Sequence, residues 1–138
     1  MSKKIVVSAC LAGIECRYDC KSNTVTEIKK LVEENNAIAI CPEQLGGLST
    51  PRPPAEQIKN KVLTIEGKDV TLEYMQGAKI ALDEAKNFGA TEAILKSKSP
   101  MCGVGKIYDG TFSRTLKDGN GIFTELLIKN GFKVRTED

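Results

Sequence analysis

The chain has 138 residues, 41% of them hydrophobic and 28% charged, with a formal net charge of +2 and no histidine. That length fits a single domain, residues 1–138, able to bury a core without disulfide staples. Without imidazole, Cys/His zinc fingers and Ser-His or Cys-His nucleophile pairs are excluded, and the interspersed charges lack the clustered Lys/Arg of a nucleic-acid footprint.

Ile5-Val6-Val7 is a short β-branched run that reads as a strand buried on both faces, with Cys10 just beyond its end. Val7-Ser8-Ala9-Cys10 behind two lysines imitates a lipoprotein cleavage box, but three apolar residues do not make the roughly 7–15-residue core of a secretory signal. Nor is there a run of roughly 18 apolar residues to span a bilayer. The expected product is soluble and cytoplasmic.

Leu11 to Cys20 has no clean period and reads as a long loop over the strand end. Thr24-Val25-Thr26-Glu27 has the form of a capping box, and Ile28, Leu31 and Val32 form the apolar face of a helix that ends near Asn35-Asn36. Ala37-Ile38-Ala39-Ile40 is a second buried strand, followed at once by Cys41. Pro42 to Pro54 holds four of the five prolines, which predicts an extended, stiff loop.

Val62-Leu63-Thr64-Ile65 and Asp69-Val70-Thr71 flank Glu-Gly-Lys and suggest a small hairpin. Thr71 is placed to cap a longer helix with Leu72, Met75, Ala78, Leu82 and Ala85 as its buried stripe and Gly89 as its stop. Ala93-Ile94-Leu95 is a third buried strand, and the loop bearing Cys102 follows. Tyr108 to Asn120 is turn-rich and reads as a lid or irregular hairpin. Ile122, Phe123, Leu126 and Leu127 mark a last helix, Asn130-Gly131 its end, and Phe132-Lys133-Val134 a final strand. Alternating strands and helices predict an α/β fold: a mostly parallel open sheet in a Rossmann-like three-layer arrangement, with long functional loops at the C-terminal strand ends.

Five cysteines, an odd count without repeating spacing and without an export signal, point to reduced thiols and to metal or redox chemistry. Cys10, Cys41 and Cys102 each follow a strand, and the C-terminal edge of a parallel sheet is where ligands bind. A lone cysteine is commonly a small buried hydrophobe; three at equivalent places argue for a shared centre. Three thiolates without histidine suit an iron–sulfur cluster with one iron free of protein ligands, with zinc plus a water as the competing reading. Cys16 and Cys20 share a loop and are open to packing, a regulatory thiol pair or alternate ligation. Glu43, two residues after Cys41, is the candidate acid/base group, and Ser99, three before Cys102, is placed on the same rim. Arg52 is a candidate for an anionic or carbonyl-bearing ligand, and Gly46-Gly47, Gly103 and Gly105 for close backbone approach to one.

Val7-Ser8-Ala9-Cys10-Leu11, Cys16-Arg17-Tyr18-Asp19, Cys41-Pro42-Glu43-Gln44-Leu45-Gly46-Gly47-Leu48, Thr50-Pro51-Arg52-Pro53-Pro54-Ala55-Glu56, Ser99-Pro100-Met101-Cys102-Gly103 and Asn130-Gly131 together resemble the bacterial family known as domain of unknown function 523, which includes the thiouracil desulfidases. The resemblance implies an oxygen-sensitive [4Fe-4S] cluster on Cys10, Cys41 and Cys102, whose free iron takes the thiocarbonyl sulfur of a thiolated pyrimidine. Glu43 and Ser99 would assist, water would replace sulfur, and uracil and hydrogen sulfide would leave without net redox change. The partners expected are this small-molecule substrate and the sulfide product, with a homodimer left open. Cys20 stands where glycine is expected, and Met101 where a small polar residue is common, which implies a narrower or drier pocket.

Overall fold

The computed structural model describes residues 3–138. Four strands, β1 (Ile5–Ser8), β2 (Ala37–Ile40), β5 (Glu92–Leu95) and β8 (Lys133–Thr136), form one parallel sheet in the order β2-β1-β5-β8. Val7 pairs with Ala39 on one side and Ile94 on the other, and Ile94 in turn with Arg135. Alternate residues feed two cores, as the pleat requires. Val6, Ala93 and Leu95 pack beneath the helices α3 (Thr71–Phe88) and α4 (Ile122–Lys129), while Val7, Ala37 and Ile94 pack beneath α1 (Thr26–Glu33). Three layers result, as the alternating pattern predicts.

The chain runs from β1 outward to β2, then returns past β1 to β5, so successive connections diverge between β1 and β5. Above such a switch point the loops separate and leave a crevice. Ser8, the last residue of β1, bridges the gap: its buried hydroxyl accepts a hydrogen bond from the Lys96 N–H just past β5, at 2.9 Å. Two antiparallel ribbons stand at this end of the sheet. They are β3 (Ala55–Ile58) with β4 (Lys61–Thr64), and β6 (Lys106–Tyr108) with β7 (Leu116–Asp118).

Several local expectations are corrected. Thr24 does not cap α1; the cap position is Val25, and no side chain closes it. The Asn23 and Val25 N–H groups instead donate to the carbonyls of Cys10 and Leu11, both at 2.8 Å, which keeps this segment extended until Thr26. Pro42 to Pro54 is not wholly irregular, for Pro42–Leu45 is a short helix, α2. Pro42 occupies its first turn, where a missing N–H is tolerated.

The small hairpin expected across 62–71 forms but is short: the Thr64 N–H donates to the Lys68 carbonyl at 2.8 Å and the Val70 N–H to that of Val62 at 2.9 Å, around a single Leu63–Asp69 bridge, while the other edge of β4 pairs in full with β3. The stripe on α3 is also rotated. Ala78, Leu82 and Ala85 face inward as expected and are joined by Tyr74 and Ala81, whereas Leu72 is 69% and Met75 54% exposed. Met75 sits about 100° around the helix from Tyr74, so taking the larger side chains as the inner face misplaced it. Gly89 ends α3 with φ 89°, as expected.

Candidate active site

Three loops deliver thiols to the crevice. Cys10 stands two residues beyond β1, in a 3-10 turn over Ala9–Ala12 closed by Gly13 at φ 97°. Cys41 directly follows β2 and is the N-cap residue of α2. Cys102 lies seven residues beyond β5, on a turn built by Ser99. The Ser99 Oγ accepts from the N–H groups of Met101 (3.0 Å) and Cys102 (3.1 Å), and its carbonyl accepts from Gly103 N–H at 2.8 Å. A Cβ on Gly103 would come within 2.7 Å of the Ser99 carbonyl oxygen and 2.8 Å of Ile107, so this glycine lets the turn close upon itself. Gln57 ties the same loop to β3, its amide donating to the carbonyls of Pro100 and Asn120 at 2.9 and 3.0 Å. Met101 is 1% exposed, packs in the main core and reaches the crevice wall.

The crevice has a volume of about 470 Å³, and Cys10, Cys16, Cys41 and Cys102 all line it together with Glu43 and Ser99. Cys16, which the spacing left ambiguous, is 2% exposed and sits between two of the others. The Cys41 thiol faces both the sulfur of Cys16 and its carbonyl oxygen, 3.9 Å away, and the Cys16 thiol faces Cys10. Cys20 is exposed, in the left-handed region at φ 65°, and does not reach the crevice. Tyr18, Tyr108 and Phe112 give the mouth flat aromatic walls, and Arg17 and Arg114 stand beside them.

Glu43 is fixed at both oxygens. Its Oε1 accepts from the Tyr74 hydroxyl at 2.5 Å, and Arg52 Nη2 pairs with Oε2. Arg52 is itself spent within the protein, donating also to the carbonyls of Cys16 (3.0 Å) and Ser49 (3.1 Å) and to Thr50 Oγ1 (2.9 Å); its side chain is 6% exposed. It therefore holds Glu43 and the Cys16 loop together rather than presenting a free cation. Gly46 likewise meets protein, not ligand: a Cβ there would lie 2.0 Å from the Glu73 carbonyl oxygen of α3.

Burial and thiol neighbours dominate the electrostatics. The Cys16 thiol is pushed up to about 11, first by its hydrogen bond to Cys10, with burial adding, while Cys41 pulls the other way. Cys41 is raised by its hydrogen bond to Cys16 and then by burial, and the Glu43 charge adds to this. Cys102 is raised by burial, against a hydrogen bond from the Ser8 hydroxyl. Raised in this way, the three thiols favour their protonated form, and a bound cation would displace those protons from the thiols it takes as ligands. Among the described residues no three His, Cys, Asp or Glu side chains gather as ligands of a single ion. An all-sulfur donor set around a cavity of this size fits an iron–sulfur cluster.

Two residues here have roles that sequence reasoning does not assign. Ser8 lies in the Val7-Ser8-Ala9-Cys10-Leu11 segment, but nothing there marks its hydroxyl as a partner of Lys96 and Cys102, and Tyr74 is on the helical face that the Leu/Met spacing turned toward solvent. A phase set by the small residues Gly77, Ala78, Ala81 and Ala85 would have turned Tyr74 inward.

A family model described as 2-thiouracil desulfurase matches residues 5–138. The Bacillus subtilis (strain 168) protein YbbK is 46% identical over 144 residues, covering 97% of this chain and 95% of its own. Among solved structures, the [4Fe-4S]-dependent thiouracil desulfidase TudS superposes with a TM-score of 0.93 at 45% identity, over 99% of this chain and 91% of that one.

Proposed function

The chain belongs to the 2-thiouracil desulfurase family, and on that premise we propose that it removes sulfur from a thiolated, thiouracil-like pyrimidine by a non-redox hydrolytic route. The carbon–sulfur double bond of the substrate is exchanged for carbon–oxygen, water supplies the oxygen and two protons, and hydrogen sulfide leaves. Cys10, Cys41 and Cys102 are the residues that would hold a [4Fe-4S] cluster. When bound, the cluster supplies a Lewis-acidic iron with an open position for a soft sulfur ligand.

The protein's own groups do the rest. Glu43 lines the crevice one residue into α2 from Cys41's successor, and its lone pairs not used by Tyr74 and Arg52 are the base for the attacking water. Ser99 has both lone pairs engaged by N–H groups, which leaves its hydroxyl proton to be donated. It therefore serves as a hydrogen-bond donor to the pyrimidine, not as a base. The aromatic side chains at the mouth suit a flat heterocycle, and Met101 helps to keep the inner wall dry.

The observation that carries this reading is the convergence of three strand-end cysteines with Glu43 and Ser99 on one crevice. Turnover of 2-thiouracil or 4-thiouracil in ¹⁸O-labelled water under anaerobic conditions tests it. Uracil carrying one labelled oxygen, with one sulfide released per uracil, is expected. Unlabelled product, or sulfur released only when an electron donor is consumed, overturns the hydrolytic route.

A further inference from the structure

Tyr74 lies on α3, outside every segment that marks the site in sequence, and is 3% exposed. Its hydroxyl donates to Glu43 Oε1 at 2.5 Å, while Arg52 occupies the other carboxylate oxygen. Burial and the Glu43 charge push the phenol well above its ordinary value, so it stays a donor.

The contact depends on a close approach between two helices. A Cβ on Gly77 would lie 1.9 Å from the Pro42 carbonyl oxygen, and one on Gly46 2.0 Å from that of Glu73. With glycine at both places the backbones of α2 and α3 touch. Tyr74, three residues before Gly77 and on the same inner face, is thereby brought against the helix that begins after Cys41.

We propose that Tyr74 is a positioning residue for the reaction. Its phenol fixes the Glu43 side chain so that the remaining lone pairs face the crevice, and although Tyr74 also lines that crevice, it acts through the carboxylate it holds. This rests on Glu43 being the base. The alternative, that Tyr74 matters only as a buried ring, is separable, because phenylalanine keeps the ring and loses only the hydroxyl.

The test is a double-mutant cycle of Tyr74→Phe and Glu43→Gln in anaerobically prepared holoprotein, with a crystal structure of Tyr74→Phe alongside. Tyr74→Phe is expected to keep the iron and sulfide content and visible spectrum of the parent and to leave KM within about twofold. Its kcat should fall about tenfold, as loss of one charge-assisted hydrogen bond suggests. In the Glu43→Gln background the same change should cost less than about twofold, since both act through one group.

The crystal structure supplies a reading independent of activity: Glu43 should leave its place in Tyr74→Phe. Unchanged kcat, effects that multiply in the cycle, or Glu43 held unmoved would each overturn the proposal. If Glu43 moves but the parent protein releases no sulfide from any thiolated pyrimidine, the positioning contact stands and the functional reading is what fails.

Discussion

Gly77→Ala is the most demanding perturbation of this architecture, because it adds a single methyl group far from any reacting atom. A Cβ at that position would stand 1.9 Å from the Pro42 carbonyl oxygen and 2.9 Å from the Gly46 nitrogen. Neither neighbour is a flexible side-chain tip; both are backbone of the α2 segment. Restoring an ordinary contact of about 3.4 Å forces α2 to withdraw by about 1.5 Å.

That helix begins directly after Cys41 and carries Glu43, so the displacement reaches the proposed ligand and the proposed base together. Misplacement by about 1 Å can cost about 100-fold in rate, and Gly77→Ala should lower sulfide release by at least that factor. Two opposing terms act on stability. Alanine improves α3 by about 1 kcal/mol as a helix former, while overpacking costs about 1–3 kcal/mol, leaving a net loss of up to about 2 kcal/mol. Thermal melting, iron content and initial rate on 2-thiouracil measure all three effects. A variant with parental Tm, full iron and full activity would refute the docking of α2 on α3 as the device that sets the site.

Other perturbations separate the parts of the site from its frame. Cys102→Ser should lose or destabilise the cluster, since a hard hydroxyl replaces a soft thiolate, whereas Glu43→Gln should keep the iron and lose turnover; equal loss of iron in both would make Glu43 structural. Glutamine is the informative replacement, because alanine would strand the buried Arg52 guanidinium at about 3–5 kcal/mol. For Glu137, burial works against ionisation, but hydrogen bonds from its own N–H and that of Ser97, and the Lys96 ammonium, hold its carboxyl below the usual range. Its contribution to stability is therefore present above the unfolded carboxylate value of about 4.3 and is lost as pH falls through the lower folded value. Glu137→Gln should flatten the acid limb of a urea-denaturation series, and an unchanged limb would count against the pair. Thr124 is 0% exposed and its hydroxyl has no partner among the described residues. Thr124→Val should leave stability unchanged or raise it by about 1 kcal/mol, and a loss of more than about 1 kcal/mol would reveal a hydrogen bond to that hydroxyl.

Much of this arrangement was legible because parallel strands buried on both faces leave continuous apolar runs. Ile5-Val6-Val7, Ala37 to Ile40 and Ala93-Ile94-Leu95 each mark a strand, and the cysteine after each marks the edge where the crevice opens. What was not legible came from contacts between segments distant in sequence. The α1 start depends on Val25 N–H reaching the Leu11 carbonyl, and nothing in Thr24-Val25-Thr26-Glu27 records that. The inner face of α3 follows its small residues because α2 presses there, a reason that lies more than 25 residues upstream. Arg52 stands among prolines as a candidate for an anionic or carbonyl-bearing ligand, but the partners that engage it, the Glu43 carboxylate and the Cys16 carbonyl, lie in other segments. Cys16 is a candidate for the surroundings of the site by sequence, and what its loop does not record is that its thiol is brought against both Cys10 and Cys41.

Iron and acid-labile sulfide analysis of protein purified without oxygen bears most directly on the claim that these thiols hold a cluster. About four irons and four sulfides per chain are predicted, with broad absorption near about 400 nm, falling sharply in Cys10→Ser, Cys41→Ser and Cys102→Ser. Protein that stays colourless after anaerobic reconstitution, or that carries stoichiometric zinc in place of iron, would contradict it.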